Sequence, residues 1–193
     1  MVVTLLAGRI DARGGQATDR ATLADFGAFY EQTYATAYRT AFAIVGESAL
    51  AADAVQDAYL SAFRERGRFR GESSAETWLI RIVVNTAVST SRRQRVRWVD
   101  SLGPELANHR DEAHRSVERL SIVSALQGLP PKERAAVVLR FYLDYDYATI
   151  ARCLNTSTGT VGSWLSRAID RLRLALEPDR PAPGSTQAGH RRG

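Results

Sequence analysis

The chain has 193 residues, 45% of them hydrophobic and 24% charged, the proportions of a soluble globular protein with one domain or two small ones. Its formal net charge is +5 and its pI about 9.8, a balance that favours a polyanionic partner. A single cysteine, Cys153, excludes an internal disulfide and a cysteine-based zinc site, and no apolar run is long enough to span a membrane.

Residues 1–21 mix Gly, Arg, Ala and Asp with little periodicity and read as a mobile extension. Arg9 and Arg13 are not followed by a long apolar segment, so no signal peptide is expected and the cytoplasm is the expected compartment. From about Thr22 to Val45, Phe26, Phe29, Tyr30, Thr33, Ala37, Tyr38, Ala41 and Ile44 recur at helical spacing, and Gly46 closes the helix. Ser48 is the expected cap of a second helix to about Arg66. Val55, Ala58, Tyr59 and Ala62 form its buried face; Asp53, Gln56, Asp57 and Leu60 form the opposite one, with a leucine among polar residues.

After Gly67, the loop Phe69-Arg70-Gly71-Glu72 leads into a third helix. Ser73 and Glu76 have the spacing of a capping box. Ala75, Trp78, Leu79, Ile82, Val83 and Thr86 make one apolar face. Arg81, Asn85, Val88 and Arg92 fall at i, i+4, i+7 and i+11 and make a second stripe, suited to backbone phosphates and base edges. The first part of the chain is thus expected to be a three-helix bundle over residues 22–94, with Trp78, Phe63, Phe42 and Tyr38 in its core.

Residues 95–115 lose the pattern, and Gly103-Pro104 breaks any helix. Such a long stretch predicts a flexible linker between two domains. His109 and His114 lie there without a third ligand, so no metal site is expected. A second helical domain follows over residues 116–177, with a tail expected to be disordered over 178–193. Val117, Leu120, Val123, Leu126 and Leu129 predict a short helix. Pro131 suits the first position of the next, from Lys132 to Leu143, with Ala136, Val137, Leu139, Arg140 and Phe141 inward or at its flanks.

A helix-turn-helix comes next: a short helix from about Asp146 to Leu154, Asn155 in the turn, and a helix capped by Ser157. Val161, Leu165, Ala168, Leu172 and Ala175 form its buried stripe. Thr160, Ser163, Arg167 and Arg171 form its outer face, where a recognition helix meets the major groove. An ordinary helical hairpin shares the same local pattern. No strand pattern occurs, so the expected class is all-α: a three-helix domain and a four-helix domain. An enzyme is disfavoured, because there is no Gly-rich phosphate loop, no paired carboxylate in an apolar setting and no nucleophile beside a histidine. No cofactor is expected.

The order of these parts resembles bacterial extracytoplasmic-function sigma factors. ALAADAVQDAYLSAF followed by FRGESSAETWLIRIVVN resembles their second region, and LPPKERAAVVLRFYLDYDYATIARCLNTSTGTVGSWLSRAIDRLR their fourth. The resemblance implies a dissociable specificity subunit of bacterial RNA polymerase that melts the −10 promoter element with region 2 and reads the −35 element with region 4. It implies that Asp53, Gln56, Asp57 and Leu60 dock on the clamp helices of the largest polymerase subunit, and that region 4 sits on the β flap. It further implies −10 contacts from Phe69, Arg70, Gly71, Glu72, Arg81, Asn85, Val88, Arg92 and Arg93. The −35 contacts it implies are Ser157, Thr158, Thr160, Ser163, Arg167 and Arg171. An anti-sigma factor is the further expected partner, and membrane insertion is not expected.

Two departures stand out. Ser89 lies where many members have an acidic residue, and the family's GTVKSRL is GTVGSWL here, so Gly162 and Trp164 replace two cations. The alternative reading is a polymerase-independent helix-turn-helix regulator that binds promoters as a dimer.

Overall fold

A computed structural model describes residues 23–101 and 117–176, with side chains for 23–95 and 122–176. The extension expected over 1–21, the tail expected over 178–193, and His109 and His114 lie outside the described residues. Among the described residues all regular structure is helical: α1 (Phe26–Val45), α2 (Ser48–Glu65), a 3-10 turn (Arg66–Arg68), α3 (Ala75–Ser101), α4 (Val117–Gln127), α5 (Pro131–Phe141), α6 (Tyr147–Leu154) and α7 (Thr158–Leu176). The expected linker starts later than its sequence pattern implies, since α3 continues to Ser101.

The first three helices pack as a bundle because their facing stripes are small. Ala37 and Ala41 of α1 and Ala51, Ala54, Ala58 and Ala62 of α2 are almost fully buried, which lets Ile44, Val55, Leu79, Ile80, Val83 and Val84 interdigitate. Burial of each large aliphatic side chain contributes about 1.5–3 kcal/mol. One polar contact is built into this core: Thr33 Oγ1 and Tyr59 Oη lie 2.7 Å apart, and burial pushes the Tyr59 phenol up to about 12.

The helix ends follow local chemistry. Asp25 caps α1 by accepting from Ala28 N at 3.1 Å. Gly46 ends it with φ of 87°, a left-handed conformation that a Cβ disfavours. Two expected caps move by one residue. Ser48 is the first residue of α2, and Glu47 precedes it without a side-chain cap. At α3 the cap is Ser74, whose Oγ accepts from Thr77 N at 3.1 Å and donates to Thr77 Oγ1 at 2.9 Å. Ser73 Oγ donates instead to the carbonyl of the next residue, Ser74, at 3.3 Å, and Thr77 holds the place in the box expected for Glu76. Pro131 begins α5, Asp146 caps α6, Asn155 takes the left-handed turn position with φ of 48°, and Ser157 caps α7.

Two expected core positions are corrected: Phe63 is 46% exposed, and Ala175 lies on the solvent side of α7. Phe141, expected inward or at the flank of its helix, is 45% exposed. Tyr38, Phe42 and Trp78 pack against the core while partly exposed.

The four C-terminal helices do not stand apart from the bundle. Buried residues of both groups form one continuous core, and among the described residues four polar contacts cross between them. Arg134 Nη1 donates to the Ile44 carbonyl. Gln127 Nε2 donates to the Ala43 carbonyl at 3.4 Å, Asn85 Nδ2 to the Cys153 carbonyl at 3.1 Å, and Tyr145 Oη to Thr77 Oγ1 at 3.4 Å.

Gly46 is the tightest point of this junction. A Cβ there would overlap the Gln127 side chain. Gly46→Ala therefore combines a left-handed strain of about 1–2 kcal/mol with displacement of Gln127. Thermal unfolding should show a fall in Tm of several degrees; an unchanged Tm would mean that the turn relaxes freely.

Candidate nucleic-acid and protein interfaces

On α2 the buried face is Ala51, Ala54, Val55, Ala58, Tyr59 and Ala62, so helical geometry turns Asp53, Gln56, Asp57 and Leu60 outward. All four are exposed, Leu60 at 46%. The surface is larger than periodicity alone implies. Phe63 continues it, in contact with Phe26 at 5.2 Å between centroids and with the Arg66 guanidinium 3.7 Å from its ring. Tyr30 and Tyr34 are also exposed, and Tyr30 packs on Tyr59 at 4.7 Å. The missed signal is the i, i+4 series Phe26, Tyr30, Tyr34, Tyr38 and Phe42 along α1, in which Tyr30 to Tyr34, Tyr34 to Tyr38 and Tyr38 to Phe42 are in ring contact. An acidic face with one leucine thus borders an aromatic shelf, a combination suited to protein docking.

The loop before α3 is held by Phe69, which is buried and packs edge-on against Trp78 at 5.5 Å. Gly71 turns the chain with φ of 72°. Phe69 is therefore an anchor, and the loop presents Arg70 and Glu72, whose side chains are 84% and 80% exposed and 4.0 Å apart. On α3, Arg81, Asn85, Arg92 and Arg93 are exposed, but Val88 is only 7% exposed. The expected four-residue stripe therefore presents three side chains, and Val88 belongs to the core. Asn85 is already engaged, donating to the Arg81 carbonyl at 2.7 Å and to the Cys153 carbonyl at 3.1 Å.

In the helix-turn-helix, Asp146 accepts from Thr149 N at 2.7 Å, and its contacts with Thr149 hold its carboxyl below the usual range. Ser157, Thr158 and Ser163 are exposed at the start of α7, and Thr160 is partly so. Its two expected outer arginines point elsewhere. Arg167 Nε donates to Glu133 Oε1 at 3.1 Å and Arg171 Nη1 to Glu133 Oε2 at 2.5 Å. Glu133 lies on α5 and is 6% exposed, so the pair neutralises a buried carboxylate. Sequence reading missed Glu133 because its partners lie 34 and 38 positions away.

Trp164 packs against the core, with Lys132 Nζ 5.7 Å from its ring centroid. Arg173 pairs with Asp170 at 3.5 Å. The leading half of α7 thus offers hydroxyls rather than free cations. Cys153 is buried, and burial pushes its thiol up to about 11, which removes it as a nucleophile at neutral pH. Among the described residues no group of metal-ligating side chains is clustered, and no helix is long and apolar enough to cross a membrane.

Glu133→Gln tests the arginine assignment. Losing two charge-assisted hydrogen bonds should lower stability by about 1–3 kcal/mol, read as a shift in the urea midpoint. The released guanidinium groups should steepen the salt dependence of DNA binding, each new phosphate contact adding about 0.9 to the log–log slope. An unchanged slope with lowered stability would show that the arginines stay away from DNA even when freed.

Known proteins share this arrangement. Residues 29–97 match the model of sigma-70 region 2, and residues 119–172 match that of sigma-70, region 4. The chain is 34% identical to the RNA polymerase sigma-H factor of Pseudomonas aeruginosa over 147 residues, covering 66% of this chain and 74% of that protein. It is 31% identical to the ECF RNA polymerase sigma factor SigL of Mycobacterium tuberculosis over 156 residues, covering 78% and 88%. Against SigM of the same species it is 37% identical over 124 residues, covering 64% of this chain and 63% of that protein. Among solved structures it is similar to the sigma factor RpoE in complex with the anti-sigma factor NepR from Bartonella quintana, with a TM-score of 0.65 and 25% identity over 81% of this chain and 99% of that one. The fold is also that of CnrH in complex with the cytosolic domain of CnrY, with a TM-score of 0.62 and 21% identity over 84% and 99%. With both regions present in order, the chain belongs to the extracytoplasmic-function group of the sigma-70 family of bacterial RNA polymerase sigma factors.

Proposed function

We propose that this sigma factor binds core RNA polymerase through α2, holds the melted −10 non-template strand with α3 and the loop before it, and reads the −35 element with the start of α7. The observation that carries the reading is the division of α2 and α3 into faces. Asp53, Gln56, Asp57 and Leu60 turn outward from one, and Arg81, Asn85, Arg92 and Arg93 from the other. The acidic and leucine-bearing face suits the clamp helices of the largest subunit, and the aromatic shelf beside it enlarges the apolar part of that contact. The basic face suits a strand backbone, with Asn85 able to exchange hydrogen bonds with a base edge. Arg70, Gly71 and Glu72 border the place an extruded base would occupy, while Phe69 supports that loop from beneath.

At the −35 element, Ser157, Thr158, Thr160 and Ser163 are the contacts best placed at the groove. Arg167 and Arg171 act through Glu133 to fix the recognition helix. With so few free cations, this domain alone should bind DNA weakly, and the β flap should supply its position. The site of action is the cytoplasm, where polymerase works. An anti-sigma factor is a fitting further partner, because the similar RpoE structure holds one. A polymerase-independent regulator is not favoured, since the N-terminal half matches sigma region 2.

Nothing in this role calls for covalent chemistry. Asp53→Arg with Asp57→Arg should abolish core association in a pull-down while leaving the helical signal intact, as exposed positions cost about 0.5 kcal/mol or less. In the assembled holoenzyme, Asn85→Ala should change preference among −10 sequences, whereas Arg92→Ala should weaken all sequences alike, because a phosphate contact carries no base information. Permanganate footprinting across a −10 library separates the two. Wild-type opening by both variants would remove α3 from the −10 assignment.

A further inference from the structure

The start of α7 meets the −35 base pairs in the role proposed above, and its outward face is short of the side chains that read them. Helical geometry sets Gly159, Ser163, Ser166 and Asp170 on one line, opposite the buried Val161, Leu165 and Ala168. All four are exposed, and Gly162 lies beside them. Two of these five positions are glycines and two end in a hydroxyl. Ser163 Oγ already donates to the Gly159 carbonyl at 3.1 Å, and Asp170 pairs with Arg173 at 3.5 Å.

The cations around this face are held elsewhere. Arg167 and Arg171 both bond Glu133. Turning either guanidinium into the groove would strip a partner from a carboxylate that is only 6% exposed, and a buried charge left without compensation is costly. Lys132 Nζ lies 5.7 Å from the centroid of the Trp164 ring. Arg152 of α6 donates to Thr149 Oγ1 at 2.8 Å. The first helix of a helix-turn-helix crosses the DNA backbone, where a cation carries no base information. This arrangement bears on guanine above all. Guanine presents two acceptors, N7 and O6, and its usual partner is an arginine or lysine, whereas a hydroxyl serves any base. Adenine is matched by the amide of Asn or Gln, and α7 contains neither.

We infer that this sigma factor uses −35 elements without a guanine requirement, and that base discrimination falls mainly to the −10 element. The inference rests on the −35 reading of α7 given above. A bidentate cation on guanine separates it from a wrong base by about 5- to 150-fold. The face of α7 offers no such contact, so the promoters that suit this chain share a −10 element and vary at −35.

The test uses the full chain assembled with core RNA polymerase. The probe is a double-stranded promoter library randomised across the −35 element, with one fixed −10 element, and the fragments retained in complex are sequenced. The wild type should favour guanine at no −35 position by about fivefold or more. Its spread of retention should be narrower than across a matching −10 library. Gly162→Arg then adds a guanidinium beside the two serines. The nearest atom that a Cβ at Gly162 would meet is Tyr147 Cε2 at 3.6 Å, an ordinary contact, and replacing glycine favours the helix, so the fold is kept. This variant should gain a guanine preference of about 5- to 150-fold at one −35 position. Gly162→Lys should gain a smaller one, and Gly162→Ala, which fills the same space without a donor, none. A wild type that favours guanine by more than about fivefold, or that discriminates more widely at −35 than at −10, overturns the inference and leaves α7 at the −35 element. Arginine and lysine variants whose profiles match the wild type at every position remove α7 from the groove, and the −35 reading falls with the inference.

Discussion

One buried cation organises the junction of the two helical groups. Arg134 is 4% exposed, and burial pushes its guanidinium down to about 10. Among the described residues no carboxylate pairs with it. Its acceptors are the Ile44 carbonyl, the Gln127 side chain, and the carbonyls of Gln127 and Leu129, the last two at 2.9 Å. Ile44 lies at the end of α1 and Gln127 at the end of α4. The guanidinium thus serves carbonyls that helix ends leave without partners, and sits at the negative end of two helix dipoles. A lysine would serve fewer of them, because its ammonium has three donors against the five of the planar guanidinium. The remaining cost is visible at Nε, which is buried without a partner.

The charge arrangement on α7 follows a similar logic with the signs reversed. Glu133 is buried at the base of the helix-turn-helix, and a lone buried carboxylate is costly. Arg167 and Arg171 offset it, each about half exposed. The consequence is a recognition helix whose cations are committed to its own support. A protein that had to find promoters unaided would be poorly served by this. A subunit positioned by polymerase is not, because tethering supplies the effective concentration that free cations would otherwise provide.

Much of this is legible in the sequence, because it is local. Gly46, Pro131, Asn155 and Ser157 each mark a helix end through a backbone preference that acts within a few residues. The α2 face of Asp53, Gln56, Asp57 and Leu60 follows from the 3.6-residue period alone. Adjacent serines before α3 are ambiguous by one position, and Ser74 prevails because Thr77 completes its hydrogen bonds. Phe63 reads as core from its side chain, yet it lies at the surface because α1 offers it the Phe26 ring edge-on rather than a closed cavity. Val88 shares a stripe with Asn85 by spacing, and only tertiary packing buries it. The contacts of Glu133 with Arg167 and of Arg134 with Ile44 span 34 and 90 positions, beyond any periodicity.

The junction rests unevenly on polar and apolar contacts. Hydrogen bonds from neutral donors to uncharged oxygens contribute modestly, about 0.5–1.5 kcal/mol each. Three of the four crossing contacts are of that kind, and two of these are as long as 3.4 Å. The fourth, from Arg134, is stronger, but most of its acceptors belong to the C-terminal group and survive separation of the domains. Parting the domains therefore sacrifices little polar energy while each keeps its own helical core. What holds the two groups together is mainly the apolar surface shared between them.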